Sequence, residues 1–250
     1  MKLKKLLLTL LLLLSLAVMI FSLIKIVLWG IDNYKTNKEI NRIKGIVNVD
    51  EGDATSESVN KFIDVDFSEL KKVNSDVVGW IRVDGTNIDY PFVQYKNNSY
   101  YLNHSFDKSI NDAGWVFLDY RNNIDELDTN TIIYAHGRVD GTMFGSLKNT
   151  LNSDFFKDRD ENLVKISTIN NSYLFEIFSV YRIPTTDDYL YNNFGSNQDY
   201  ESFLDIIKNR SIHDFSVDVL NTDKIITLST CYNSRDKVVM HAKLVNSKNA

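Results

Sequence analysis

The longest apolar stretch of the chain lies near its start, where a charge-free run extends over residues 6–24 and is interrupted only by one threonine and two serines. The run is about 19 residues long, close to the length at which an α-helix spans the hydrocarbon core of a bilayer. The alternative is a cleaved signal peptide, whose apolar core is usually about 7–15 residues and ends at a small-residue cleavage site. No such site follows here. We therefore predict an uncleaved membrane anchor.

The lysines Lys2, Lys4 and Lys5 precede this run. Positive charges flanking a membrane span remain in the cytoplasm. The pattern predicts a single-pass protein of the cell membrane with a cytoplasmic N-terminus and the rest of the chain outside the cell.

Polar residues with sparse apolar positions follow the anchor and then give way to an acidic segment of small residues. This pattern is typical of a weak helical stalk, reaching about residue 48, and a linker after it. We predict three parts: a cytoplasmic tail and transmembrane anchor over residues 1–30, a stalk and linker over 31–62, and a globular domain over 63–250.

The globular part is dominated by short apolar or alternating runs separated by turn residues, which is the pattern of β-strands. Tyr200, Phe203, Leu204 and Ile207 instead recur at helical spacing and predict an amphipathic helix. Many short strands with a few inserted helices favour a mainly β domain, a barrel or a sandwich. The predicted strands are 77–83, 88–94, 114–120, 131–136, 163–169, 173–183, 224–230 and 237–245, with short helices at 66–73 and from 143.

Composition narrows the functional classes. The chain has 250 residues, 44% of them hydrophobic and 24% charged, as is ordinary for a globular protein. A formal net charge of −5 gives no electrostatic support for nucleic-acid binding. One cysteine and four dispersed histidines lack the spacing of a metal site, so we expect neither metal nor cofactor.

That single cysteine, Cys231, ends the stretch TLSTC at the end of a predicted strand. Side chains alternate along a strand, so Ile226 and Leu228 point inward while Ser229 and Cys231 share the other face. Outside the cytoplasm a lone thiol is buried and inert, paired with another molecule, or reactive. The pattern alone leaves these alternatives open.

A nucleophilic cysteine needs a histidine to share its proton and a donor for the oxyanion. His136 ends an apolar run and precedes Gly137, which is a suitable place for a site, although a turn histidine fits as well. Arg235 lies four residues after Cys231 and is the candidate cation, with an exposed loop arginine as the alternative.

Taken together, these segments resemble the sortases, the cysteine transpeptidases of Gram-positive cell surfaces, and within them class B. The cysteine motif and the final strand match, as do several upstream segments and the helix at about 197–210. The matching segments are VGWI at 78–81, IDYPFVQ at 88–94, GWVFLDYRN at 114–122, YAHG at 134–137, MFG at 143–145, TLSTC at 227–231 and VVMHAKL at 238–244.

The resemblance implies an eight-stranded sortase β-barrel with short peripheral helices, preceded by an N-terminal transmembrane helix, with residues 63–250 as the catalytic domain. It implies that Cys231 is the nucleophile, His136 the general acid/base and a following basic residue the oxyanion partner. Family register points to Lys237 for that last role, but a guanidinium offers a fork of donors that lysine lacks, and we expect Arg235. Substrate contacts map onto Asn98, Leu102, Ser229 and Thr230.

The implied reaction cleaves a C-terminal sorting signal, NPxTx-like by class, after its threonine and forms a thioacyl-enzyme. The implied partners are secreted proteins that carry such a signal, an amine of the peptidoglycan precursor as acceptor, and the membrane. Three alternatives remain at this point: a membrane-anchored cysteine endopeptidase, a pilin-polymerising sortase, and a non-catalytic surface-binding barrel.

Overall fold

The computed structural model of the protein describes residues 2–47, 49–50, 62–157 and 162–249. The predicted linker falls mostly on residues 51–61 and so lies outside the described residues.

Strands account for most of the globular part, as the alternating sequence pattern predicts. The helices are α1 (Lys2–Ile46), α2 (Ser68–Val73) and α3 (Asn197–Asn209), and 3₁₀ turns cover Tyr100–Leu102 and Gly145–Leu151. The strands are β1 (Val49–Asp50), β2 (Asp64–Val65), β3 (Val77–Val83), β4 (Asp89–Gln94), β5 (Phe117–Leu118), β6 (Asn130–Tyr134), β7 (Leu163–Thr168), β8 (Asn171–Pro184), β9 (Ile225–Cys231) and β10 (Asp236–Asn249).

Among the described residues, eight strands close into a barrel in the order β10-β8-β7-β3-β4-β5-β6-β9. Neighbouring strands are antiparallel except for two pairs, β4 with β5 and β6 with β9. This confirms the predicted eight-stranded barrel. The strand predicted over 114–120 shortens to β5, and the remaining pair, β1 with β2, forms a separate small sheet.

Helix α1 is a single element of 45 residues, so the anchor and the predicted stalk are continuous. Its length and composition make it a candidate membrane span, and its most apolar window is not buried against the rest of the chain. The predicted boundary at residue 30 has no counterpart in the secondary structure.

The C-terminal part of α1 packs on the barrel instead of standing apart as a stalk. Ile40 and Ile43 lie in the main hydrophobic core, since each presents an apolar side chain on the same face of the helix. Thr36 Oγ1 accepts a hydrogen bond from Asn111 Nδ2 at 3.1 Å, and Lys44 pairs with Asp89 at 3.1 Å. The helix is therefore fixed to the domain by apolar and polar contacts together.

Both faces of β9 are buried against other parts of the protein. Ile226 and Leu228 belong to the barrel core, as alternation predicts. The opposite face is covered by α3 and the segment before it, where Phe203 and Tyr189 form a second apolar cluster with Ile225.

Candidate active site

The carboxyl ends of β6 and β9 bring His136 and Cys231 together. These two strands are parallel and Tyr134 lies opposite Ser229. His136 and Cys231 each follow two residues later, and both line the same pocket. Parallel neighbours lie about 4.8 Å apart and end at the same edge of the sheet. The structure thus pairs the two residues that the sequence singled out as nucleophile and base.

Gly137 allows the segment after β6 to stay against β9. A Cβ at this position would lie 2.0 Å from the carbonyl oxygen of Cys231 and 3.0 Å from Thr230 Oγ1. Thr230 Oγ1 also donates to the carbonyl oxygen of Ala135 at 2.8 Å, which fastens the two strand ends to each other. A side chain at position 137 would separate the histidine from the cysteine.

The half-buried thiol of Cys231 has a cation beside it, and that cation is Lys237. Lys237 lies directly opposite Cys231 in the antiparallel pair of β9 and β10, so the two side chains share a face. The distance from Lys237 Nζ to Cys231 Sγ is 3.0 Å. The ammonium therefore lies within hydrogen-bond distance of the sulfur.

Arg235, the expected oxyanion partner, is placed elsewhere. It lies in the turn before β10, where its backbone N–H donates to Asn233 Oδ1 and its carbonyl oxygen accepts from Thr185. The expectation that Arg235 shares the face of Lys237 required an extended segment, but the strand begins only at Asp236. Its side chain is exposed and is not among those that line the pocket beside Cys231.

His136 is oriented by the other wall of the site. The distance from His136 Nε2 to the carbonyl oxygen of Leu102 is 2.7 Å. A carbonyl can only accept, so Nε2 carries a proton and Nδ1 is left as the nitrogen that can take one up. This fixed ring orientation is what a general acid/base requires.

A pocket of about 510 Å³ lies over the pair, and it collects all four predicted substrate contacts. Asn98 and Leu102 come from one wall, and Ser229 and Thr230 from β9. Ser229 Oγ lies 2.9 Å from the hydroxyl of Tyr189, so this β9 hydroxyl is already engaged. A pocket of this size, lined by a thiol, an imidazole and an ammonium, can hold part of a peptide and attack its carbonyl.

A buried carboxylate that sequence reasoning missed organises the same pocket. Asp119 accepts hydrogen bonds from Asn98 Nδ2 and the Tyr134 hydroxyl at 2.9 Å, and from Arg121 Nε and Nη2 at 2.8 Å. Arg121 Nη2 also donates to the carbonyl oxygen of Leu190 on the facing wall, at 3.0 Å. Asp119 therefore links both walls, although its place in the matched segment GWVFLDYRN gave no hint of this role.

The charge of Asp119 is maintained by its partners. Burial disfavours the carboxylate, but hydrogen bonds from Arg121, Tyr134 and Asn98 outweigh that effect and hold the pKa of Asp119 below its ordinary value. The same surroundings raise the pKa of the Tyr134 phenol, through burial first and the Asp119 charge second. Tyr134 thus remains a neutral donor to the carboxylate.

Comparisons with known proteins agree with this geometry. A family model described as a Sortase domain matches residues 81–245. Sortase B of Listeria monocytogenes is 39% identical over 197 residues, which cover 77% of this chain and 79% of that protein.

Two solved structures extend the likeness to the fold. A Staphylococcus aureus sortase B–substrate complex superposes with a TM-score of 0.67 at 36% identity, covering 72% of this chain and 84% of the other. Sortase B from B. anthracis in complex with AAEK1 gives a TM-score of 0.72 at 36% identity, covering 87% and 99%.

Proposed function

Because this chain belongs to the sortase family, with class B enzymes as its relatives, we propose that it is a membrane-anchored cysteine transpeptidase that cleaves an NPxTx-like C-terminal sorting signal after its threonine. The acyl group passes through a thioester on Cys231 to an amine of the cell-wall precursor. Helix α1 anchors the enzyme in the cell membrane, with its N-terminus in the cytoplasm and the barrel outside. The observation that carries the proposal is the meeting of Cys231 and His136 in the wall of one pocket.

The first half-reaction follows from the side chains at that end of the pocket. The thiol proton of Cys231 passes to His136, and the sulfur attacks the carbonyl carbon of the threonine, so that a C–S bond forms as the carbonyl π electrons move to oxygen. When the tetrahedral intermediate collapses, the C–N bond breaks and its electron pair leaves with the amine, which takes a proton from His136. The thioester remains on the enzyme and the shortened signal departs.

The tetrahedral oxygen needs a donor, and we assign this role to Lys237 in place of Arg235. Lys237 Nζ is already 3.0 Å from Cys231 Sγ, so it lies beside the atom to which the intermediate is attached. An ammonium offers three donors and a full charge, although it lacks the planar fork of arginine. The short turn of this chain supports the change, since it places residue 237, not 235, opposite the cysteine.

The central test uses the full chain in lipid nanodiscs and a panel of fluorogenic pentapeptides that includes NPxTx and LPxTG sequences, with triglycine as the amine. We expect cleavage of NPxTx peptides after threonine, a ligated product that contains triglycine, and an acyl-enzyme of the corresponding mass. Cys231→Ala should abolish all three. Cleavage of LPxTG peptides alone would overturn the signal assignment, and cleavage without any ligated product would favour the endopeptidase alternative.

The cation is tested by separate substitutions. Loss of one oxyanion donor typically lowers kcat by roughly 10²–10³-fold, and we expect this for Lys237→Ala but a change within about twofold for Arg235→Ala. Lys237→Arg should recover most of the activity. If Arg235→Ala alone abolished turnover, the assignment to Lys237 would be wrong and the sequence expectation right.

A further inference from the structure

A second groove reaches Cys231 and His136 from outside the peptide pocket. It has a volume of about 260 Å³ and is formed where the anchor helix α1 meets the segment after β6. Its lining residues are Trp29, Asn33, Asp112, His136, Gly137, Arg138, Val139, Asp140 and Cys231. The groove and the peptide pocket share only Cys231 and His136, the proposed nucleophile and base, whereas Lys237 lines the peptide pocket alone.

A transpeptidase must bring a second substrate to an acyl-enzyme whose peptide pocket is already filled. The inference that follows rests on the proposed function, since it concerns that second substrate. The amine has to reach the thioester carbon next to Cys231 Sγ and must have His136 within reach to take its proton. The groove meets both requirements without displacing the acyl peptide.

The charges of the groove suit an amine. Asp140 is paired with Arg138 at 3.3 Å, so these two charges largely offset each other. Asp112 is exposed and makes no ion pair with any residue in the described ranges. The groove therefore presents one uncompensated carboxylate, which favours a primary ammonium approaching from solvent.

The anchor helix places the groove near the bilayer surface. Trp29 stands at the end of the apolar part of α1, and tryptophan is enriched at the membrane–water interface. Asn33, one turn further, accepts a hydrogen bond from Arg138, which joins the helix to the active-site segment. Val139 is 93% exposed at the groove's rim. Trp29 and Asn33 are about 6 Å apart along the helix axis, so the groove begins at the level of the interface and reaches about one helical turn above it.

We propose that this groove admits the primary amine of a membrane-tethered cell-wall precursor, and that Trp29 and Asn33 make the anchor helix part of the acceptor site. The ammonium first releases one proton to solvent, and the resulting neutral amine attacks the thioester carbon, so that a C–N bond forms. As the C–S bond breaks, its electron pair returns to Cys231 Sγ. The extra proton of the amine passes to His136, so the free enzyme is restored for the next peptide.

The test measures acylation and transfer separately on the full chain in nanodiscs. The sorting peptide supplies the acyl group, and the amine is either free triglycine or triglycine coupled through its carboxyl end to phosphatidylethanolamine. Asp112→Asn should raise the KM for both amines about three- to tenfold. Asp205→Asn is the matched control, because Asp205 is exposed on α3 and does not line the groove.

Trp29→Ala should lower the ratio of transfer to hydrolysis about fivefold or more with the lipid-coupled amine. Leu28→Ala is its control, since Leu28 is similarly exposed but does not line the groove. If the acceptor KM and the ratio of transfer to hydrolysis were unchanged in these variants, the groove would not be the acceptor site, and the proposed function would still stand. An equal loss of acylation and transfer in the groove variants would also overturn the assignment of the groove as the acceptor site. Absence of any acyl-enzyme in the unmodified protein would refute the proposed function itself.

Discussion

Gly137 controls the distance between base and nucleophile, and its replacement by alanine is the most direct test of the site geometry. The added Cβ would lie 2.0 Å from the carbonyl oxygen of Cys231, whereas real Cβ contacts essentially never fall below 3.0 Å. The two segments would have to separate by at least 1.0 Å, the difference between these values. Both are backbone, so no flexible side chain can yield.

The expected magnitude has two parts. Overpacking of this kind costs about 1–3 kcal/mol of folding free energy, which in a domain of this size lowers the Tm by roughly 2–12 °C. The separation moves His136 away from Cys231, and a 1 Å misplacement can reduce the rate about 100-fold. We therefore expect Gly137→Ala to fold and to acylate about 100-fold more slowly.

The assay follows acyl-enzyme formation by rapid-quench mass spectrometry, with circular dichroism to verify folding. Gly195→Ala is the matched control, because its Cβ would meet only the mobile carboxylate of Asp199 at 3.3 Å. A folded Gly137→Ala enzyme with the acylation rate of the unmodified protein would refute the argument that this backbone contact sets the geometry of the pair.

Two further predictions concern buried groups near the site. Asp119→Asn should raise the peptide KM several-fold and lower the free energy of unfolding by about 2–3 kcal/mol, because Asn98 and Arg121 lose a charged acceptor. Peptide kinetics measure the first effect and urea denaturation the second. An unchanged KM would contradict the role of Asp119 in linking the pocket walls. Burial lowers the pKa of His241 to about 3. Between pH 6.5 and 3 the unfolded chain therefore binds a proton at His241 that the folded protein does not bind, and the free energy of unfolding falls as the pH falls. The loss from pH 7 to 5.5 should be about 1 kcal/mol, and a His241→Gln protein with the same pH slope would show that another group is responsible.

Much of the fold follows from local sequence pattern. Alternation in TLSTC separates Ile226 and Leu228, which enter the barrel core, from Ser229 and Cys231, which face the pocket, because a strand has a period of two. The apolar run over residues 6–24 likewise predicts a helix, which forms part of α1. Such features depend only on neighbours along the chain.

Other features depend on contacts between distant segments of the chain and cannot be predicted from the local sequence pattern. The expectation for Arg235 assumed an extended segment, but hydrogen bonds from the backbone of Arg235 and Asp236 to Asn233 Oδ1 form a tight turn, so Lys237 is the residue that faces the thiol. Nothing local to α1 indicates that Asn33 contacts the active-site segment. The roles of Cys231 and His136 were predicted from family likeness, and kinetics will decide them.

The parallel pairing of β6 and β9 determines when the Cys231 thiol meets His136 during folding. Ala135 and Thr230, which bond across it, are 95 residues apart in the chain, and contacts of such long separation form late because loop closure must precede them. Until then Cys231 has no imidazole beside it, although the local hairpin of β9 and β10 can already place Lys237 opposite it. The pairing of His136 with Cys231 therefore depends on closure of the barrel and not on the segment around either residue alone.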